Sequence, residues 1–149
     1  MQRLEIGVTI NCPLPEVFAI YTQADLWSWS DLRSARWTQG HPWELESRAR
    51  IEPANAYGIV VDQVLIAFER NRLVGFISHF GGVTMQSQTR FRPLSEALTE
   101  VTHKSEFVGN FSRVAAFPLK SAIEFGARRF LDDLKRECER DTRRFGRNQ

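Results

Sequence analysis

The side chains in this 149-residue chain whose chemistry could be more than structural are three histidines, two cysteines and a set of hydroxyls. His41, His79 and His103 fall on three different segments, so they do not share the spacing of a metal site, and no metal or other cofactor is expected. Cys12 and Cys138 lack metal-ligand spacing and are too few for a disulfide framework, a usage that fits a reducing, cytoplasmic compartment. An imidazole titrates near ~6.5 when unperturbed, which suits general acid–base work. His103 is the one histidine expected inside the fold, and so the candidate catalytic residue. A nucleophile–histidine–acid arrangement would also need an inward carboxylate. Asp62 is the only candidate, and it faces inward in just one of the two facings open to its strand.

Whether these groups meet depends on the strands that carry them. Phe80-Gly81-Gly82-Val83 predicts a two-residue hairpin turn, because both central positions of such a turn need positive φ. That turn sets Phe80 opposite Val83, Ser78 opposite Met85, Phe76 opposite Ser87 and Val74 opposite Thr89. His79, Thr84, Gln86, Gln88 and Arg90 then share the other, wet face. In the next strand, over 97–108, Glu100, Lys104 and Glu106 mark the outer side, so Val101, His103, Ser105 and Phe107 point inward. With Phe91 placed opposite Thr99, Ser87 meets His103 and Met85 meets Ser105. The inward face thus carries Phe76, Phe80, Met85, Phe91 and Phe107 as apolar walls, and Ser78, Ser87, Thr89, His103 and Ser105 as a polar patch among them. Aromatic walls with a few convergent polar groups are the usual make-up of a small-molecule site. A core in which each hydroxyl bonds to backbone or to a buried water is the alternative.

The remaining elements supply the container. Arg3–Ile10 alternates as a half-buried strand. Prolines 13 and 15 suit the start of a short helix burying Val17, Phe18 and Tyr21. A second short helix is expected over 24–32, and strands over 34–38, 44–52 and 58–69, with a tight turn at Arg70-Asn71. The chain closes with a long helix over 118–144, on which Leu119, Ile123, Ala127, Phe130, Leu134 and Cys138 form one apolar stripe. Arg128, Asp132, Lys135, Arg136 and Glu139 lie opposite, with Asp132–Arg136 and Glu139–Arg143 as acid-before-base pairs. Pro118 marks either its start or a kink. Ala122, Gly126 and Ala127 are small residues in the first half of this helix. Gly126 costs roughly 1 kcal/mol relative to alanine there, so it serves either close packing on the sheet or room for a ligand. Ile123, Gly126, Ala127 and Phe130 would then complete the cavity wall, with Trp27 and Tyr57 at its entrance. Phe125 falls on the polar side of the helix.

A net charge of +2, from 20 basic and 18 acidic residues dispersed along the chain, gives no basic stripe for nucleic acid. No apolar run approaches the ~20 residues of a membrane-spanning helix, and no signal peptide opens the sequence.

The order of elements resembles the helix-grip fold of the START-related superfamily, which includes polyketide cyclase/dehydrase-like and lipid-transfer proteins. The likeness runs through residues 10–13 and Glu16-Val17-Phe18 at the strand-to-helix junction, Asp25-Leu26-Trp27-Ser28-Trp29, and residues 123–139 of the last helix. Gly40-His41-Pro42-Trp43 departs from the glycine-rich turn of many members. The resemblance implies one α+β domain over 1–149: a curved antiparallel sheet of six to seven strands wrapped around a long C-terminal helix, with two short helices after the first strand. It also implies an internal cavity. Two functions stand side by side: a carrier or sensor binding a hydrophobic or aromatic small molecule, and an aromatase/cyclase-like enzyme using His103 in the same cavity. A third, an interaction module, would rest on Phe125 and the basic tail. The expected partner is a hydrophobic ligand, with no nucleic acid, no stable membrane insertion, and a monomeric or weakly dimeric state.

Overall fold

The computed structural model describes residues 3–54, 59–108 and 117–147. β1 (Arg3–Ile10) buries Leu4, Ile6 and Ile10 and exposes Arg3, Glu5 and Thr9, as its alternation demands. α1 (Leu14–Tyr21) begins after Pro13 and carries Pro15 in its first turn, where a missing N–H leaves no helical bond unmade. It stops where the Thr22 hydroxyl and amide both donate to the Phe18 carbonyl, at 2.7 and 3.0 Å.

The helix expected over 24–32 is a run of turns instead. Trp27 takes φ +49°, a left-handed conformation that a helix cannot continue through. Ser30 closes the turn by donating its amide and hydroxyl to the Trp27 carbonyl. The reward is tertiary: the Trp27 ring turns inward onto Tyr21, Phe76 and Phe130, with ring centroids 5.7, 5.7 and 4.9 Å away. Aromatic pairs of this kind contribute about 0.5–1.5 kcal/mol each, enough together to outweigh a left-handed residue costing ~1–2 kcal/mol.

β2 (Ser34–Gln39) pairs with β3 (Arg48–Glu52), which is shorter than the expected strand over 44–52 because Trp43 and Glu46 also hold positive φ. The loop between them needs Gly40: at φ +81°, a Cβ there would stand 2.5 Å from the Ser47 Oγ. β4 (Val61–Glu69) bulges between Leu65 and Ala67, and Asn71 at φ +59° turns it into β5 (Leu73–Phe80). The facing of β4, apolar on both sides, is fixed by its pairing with β3 and β5 and by the full burial of Leu65. Asp62 is exposed and meets Arg50 at 3.2 Å, whereas Gln63 faces inward, so the one candidate acid for a triad lies on the outer surface.

Gly81 and Gly82 (φ +52° and +78°) form the two-residue turn into β6 (Val83–Ser95), and every expected pairing across it is present. His79 lies outside, its Nδ1 3.2 Å from the Thr84 hydroxyl. β7 (Leu98–Val108) departs from the expected register by two residues: Ser87 faces Ser105, Thr89 faces His103 and Met85 faces Phe107. The expectation set Phe91 opposite Thr99, but the strands join by a tight turn at Glu96-Ala97 with Ser95 opposite Leu98, and one extra residue bulges between Pro93 and Ser95, so Thr99 meets Pro93. A shift of two leaves each residue on its face, so the inward set survives. The seven strands form one antiparallel, curved sheet in the order β1-β7-β6-β5-β4-β3-β2.

α2 (Phe117–Arg147) runs on from its first residue, so Pro118 opens the helix rather than kinking it. Its two halves pack differently. Leu131, Leu134 and Cys138 are buried in the main core, whereas Ile123, Ala127 and Phe130 are only partly covered. The buried half is fastened to the end of β1. Lys135 Nζ donates to the Thr9 carbonyl at 2.6 Å, and Glu139 accepts from the Asn11 amide and side chain at 3.3 and 3.1 Å. The expected surface pair at Asp132–Arg136 is replaced by Asp133–Arg136 at 3.3 Å. Glu139 meets Lys135 at 2.9 Å, while Arg143 lies beyond the described side chains. The change has a structural reason: Asp133 is buried, where its carboxylate caps the Asp31 amide at 3.1 Å.

Candidate functional site

Where the first half of α2 lifts away from the sheet, a cavity of about 230 Å³ remains. It is slightly smaller than typical ligand sites of roughly 300–1,000 Å³. Ala122, Ile123, Gly126, Ala127 and Phe130 form its helical wall; a Cβ on Gly126 would meet nothing within 4 Å, so this glycine makes space rather than contact. Phe76, Phe80, Met85, Ser87, Thr89, His103 and Ser105 form the sheet wall, and Trp27 closes one side.

Three of the expected wall residues are used elsewhere. Phe91 packs against Phe18 and Tyr21, with centroids 5.1 and 5.2 Å away. Phe107 joins Phe80 and Val83 in a small separate cluster at the sheet end. Ser78 is fully buried and does not line the cavity. Tyr57 falls outside the described residues. The lining also includes residues that the pattern did not single out, among them Tyr21, Leu32, Ile51, Val61, Gln63 and Val74. Gln63 was hidden by the two-sided apolar pattern of β4. Tyr21 carried a signal, a phenol ending the buried face of α1, since a buried hydroxyl needs a partner.

That partner starts a chain of hydrogen bonds along the wall. The Tyr21 hydroxyl donates to Thr89 Oγ1 at 3.2 Å, and Thr89 Oγ1 lies 3.1 Å from His103 Nδ1. His103 Nε2 lies 3.1 Å from Ser105 Oγ, which is 3.3 Å from Ser87 Oγ. The register shift creates this order, since it places Thr89 rather than Ser87 opposite His103. Burial pushes the His103 pKa from 6.5 down to about 4, because a buried imidazolium would lose its hydration. Burial likewise pushes the Tyr21 phenol well above its usual range, against a smaller opposing effect of the Thr89 bond. Both groups are therefore neutral at physiological pH. Trp27 Nε1, Gln63 Oε1 and Ser78 Oγ are buried and find no hydrogen-bond partner among the described residues.

An outer hollow of about 560 Å³ adjoins the cavity and shares Leu32, Pro53, Ala122, Gly126 and Phe130 with it. An ion pair between Arg129 and Asp31 stands at its rim, and Phe125, 56% exposed, borders it. Gly126 thus sits between inner cavity and outer hollow. Among the described residues, no helix is long and apolar enough to cross a membrane.

Residues 1–139 match the family described as polyketide cyclase / dehydrase and lipid transport. No curated protein matches the sequence. Among solved structures, the Zhui aromatase/cyclase from Streptomyces sp. R1128 aligns with a TM-score of 0.77 at 15% identity, covering 95% of each chain. The di-domain aromatase/cyclase BexL from the BE-7585A biosynthetic pathway aligns at 0.75 and 16% identity, over 93% of this chain and 47% of that one. A protein from Nitrosospira multiformis aligns at 0.73 and 14% identity, over 95% of this chain and 99% of its own. At such identities the likeness is one of fold.

Proposed function

From the premise that this chain belongs to the polyketide cyclase/dehydrase and lipid transport family, we propose that it binds a hydrophobic or aromatic small molecule in the cavity between sheet and α2, as a carrier or sensor. The observation that carries the reading is the cavity itself: its lining is predominantly apolar and aromatic, with polar groups gathered on one wall. A second reading, cyclase-like proton transfer at His103, is favoured by the position of that imidazole on the cavity wall. It sets His103 as the proton carrier for a ligand held in the same place. An imidazole whose pKa is near 4, with both nitrogens engaged, is a weak base at neutral pH, so binding is the leading reading.

The uncharged naphthyl ketone prodan, whose emission shifts in apolar surroundings, tests the proposal. Micromolar binding is expected. Gly126→Trp should weaken it at least about tenfold while leaving the melting temperature nearly unchanged, because the new side chain enters open space between cavity and hollow. Undiminished binding to a folded Gly126→Trp protein would refute the location, and no binding to the wild type would refute the function.

A further inference from the structure

The wall of hydroxyls has a direction. Tyr21 donates to Thr89 Oγ1, which is 2% exposed and must place its own hydrogen on some acceptor. His103 Nδ1, at 3.1 Å, is the acceptor within reach. If Nδ1 carried the proton instead, Thr89 would accept twice and its own hydrogen would be stranded in the core, a costly outcome. Thr89 therefore donates to a bare Nδ1, and the imidazole proton sits on Nε2. Nε2–H then donates to Ser105 Oγ, and because Ser105 is fully buried and its own hydrogen needs an acceptor, Ser105 donates in turn to Ser87 Oγ, 3.3 Å away. Ser87 then has a hydroxyl hydrogen with no acceptor in the chain of bonds, on a side chain that lines the cavity. A row beginning with a phenol deep in the core thus ends as one oriented donor on the wall.

The rest of the lining sets what that donor meets. Among the described residues, no lysine, arginine, aspartate or glutamate lines the cavity, and its ionisable groups are Tyr21 and His103. Both are held neutral by burial. A ligand that brought a carboxylate inside would lose its hydration and gain hydrogen bonds without a countercharge. Phosphate or sulfate would fare worse.

We propose that Ser87 is a specificity-determining residue of this cavity, and that the cavity selects an uncharged apolar ligand carrying a hydrogen-bond acceptor, of ketone, ester or amide type, against the corresponding anion. This rests on the binding function proposed above and names the chemistry of its ligand.

Three naphthalenes of similar shape provide the test, competing with bound prodan at pH 7.5: 2-acetylnaphthalene, 2-ethylnaphthalene and 2-naphthoate. The ketone should bind about fivefold to tenfold more tightly than the hydrocarbon, as one neutral hydrogen bond allows. The carboxylate should bind about a hundredfold or more weakly than the ketone, because it must enter charged or pick up a proton first. Ser87→Ala should erase the advantage of the ketone over the hydrocarbon and leave the hydrocarbon unaffected. Independently of any variant, ¹⁵N–¹H correlation spectra of the His103 ring should show the proton on Nε2. Naphthoate binding as tightly as the ketone would overturn the proposal, as would equal affinity of ketone and hydrocarbon for the wild type, or a proton on Nδ1. Failure of prodan and all three compounds to bind would refute the cavity function instead, and this inference with it.

Discussion

The neutrality of His103 can be tested without any ligand, through acid stability. In the unfolded chain the imidazole titrates at 6.5, and in the folded protein at about 4. Between these values the unfolded state takes up a proton that the folded state does not. Because the folded pKa is depressed, the contribution to stability is complete above pH 6.5 and is lost as pH falls toward 4. At 1.36 kcal/mol per unit the whole effect is about 3 kcal/mol, with under half of it lost by pH 5.5 and most of it by pH 4.5. His103→Gln removes the titration and disturbs the bonds to Thr89 and Ser105, costing about 1.5 kcal/mol at pH 7.5. The two proteins should therefore converge in stability as pH falls below 6.5, and by pH 4.5 the variant should be the more stable. Urea unfolding followed by tryptophan fluorescence at pH 7.5, 5.5 and 4.5 measures the difference, and the other acid-sensitive groups largely cancel in it. Those include Asp133, raised by burial and the nearby Asp31 carboxylate, and Glu139, lowered because Lys135 and Asn11 outweigh its burial. A difference between the two proteins that stays constant across the range would refute the argument, since it would mean that His103 is hydrated in the fold.

Three other substitutions probe the architecture. Leu134→Ala should cost about 3 kcal/mol, since its side chain is wholly buried in the main core, whereas Ile123→Ala should cost less than about 1.5, because one side of Ile123 already faces open space. Thermal or urea unfolding would show the contrast, and equal losses would mean that the two halves of α2 are packed alike. His79→Ala should change both stability and prodan affinity by less than about 0.5 kcal/mol, because the ring lies on the outer face with only Thr84 as a partner. A larger effect on binding would place the wall on the wrong side of the hairpin.

What the sequence disclosed about this wall follows the range of its signals. The Gly81-Gly82 turn is local, and period-2 alternation then propagates a facing along both strands; the facing of His79 and of His103 could therefore be read. The order of partners across β6 and β7 could not, because alternation fixes a facing but not how far along its partner a strand pairs, and a slip of two residues leaves every facing unchanged. That error mattered, since it decided whether His103 meets Ser87 or Thr89. Gln63 was illegible for another reason: β4 is apolar on both sides, and its facing emerges only from its register with β3 and β5, which buries Leu65 and leaves Asp62 beside Arg50 outside. The turn at Trp27 is the plainest override. Residues 24–32 carry helical periodicity, yet one tryptophan gains more by reaching Tyr21, Phe76 and Phe130 than the helix gains by continuing.

α2 shows how one amphipathic stripe can serve two ends. A helix of this length needs only part of its face to be fixed, and the fixing is concentrated in Leu131, Leu134 and Cys138, with Lys135 and Glu139 holding the end of β1. Fully burying one such leucine contributes ~1.5–3 kcal/mol, so this half suffices to hold the helix on the sheet. The other half is then released from packing, and its residues are smaller: Ala122, Gly126 and Ala127 separate Ile123 from Phe130. Filling the space with larger apolar side chains would stabilise the domain, and Gly126→Ala alone should add roughly 0.5–1 kcal/mol, since its Cβ meets nothing. A core selected for stability would not keep that glycine. Under the binding function proposed above, its place between inner cavity and outer hollow supplies the reason: on this helix the stripe is tight where it anchors and open where a ligand would pass.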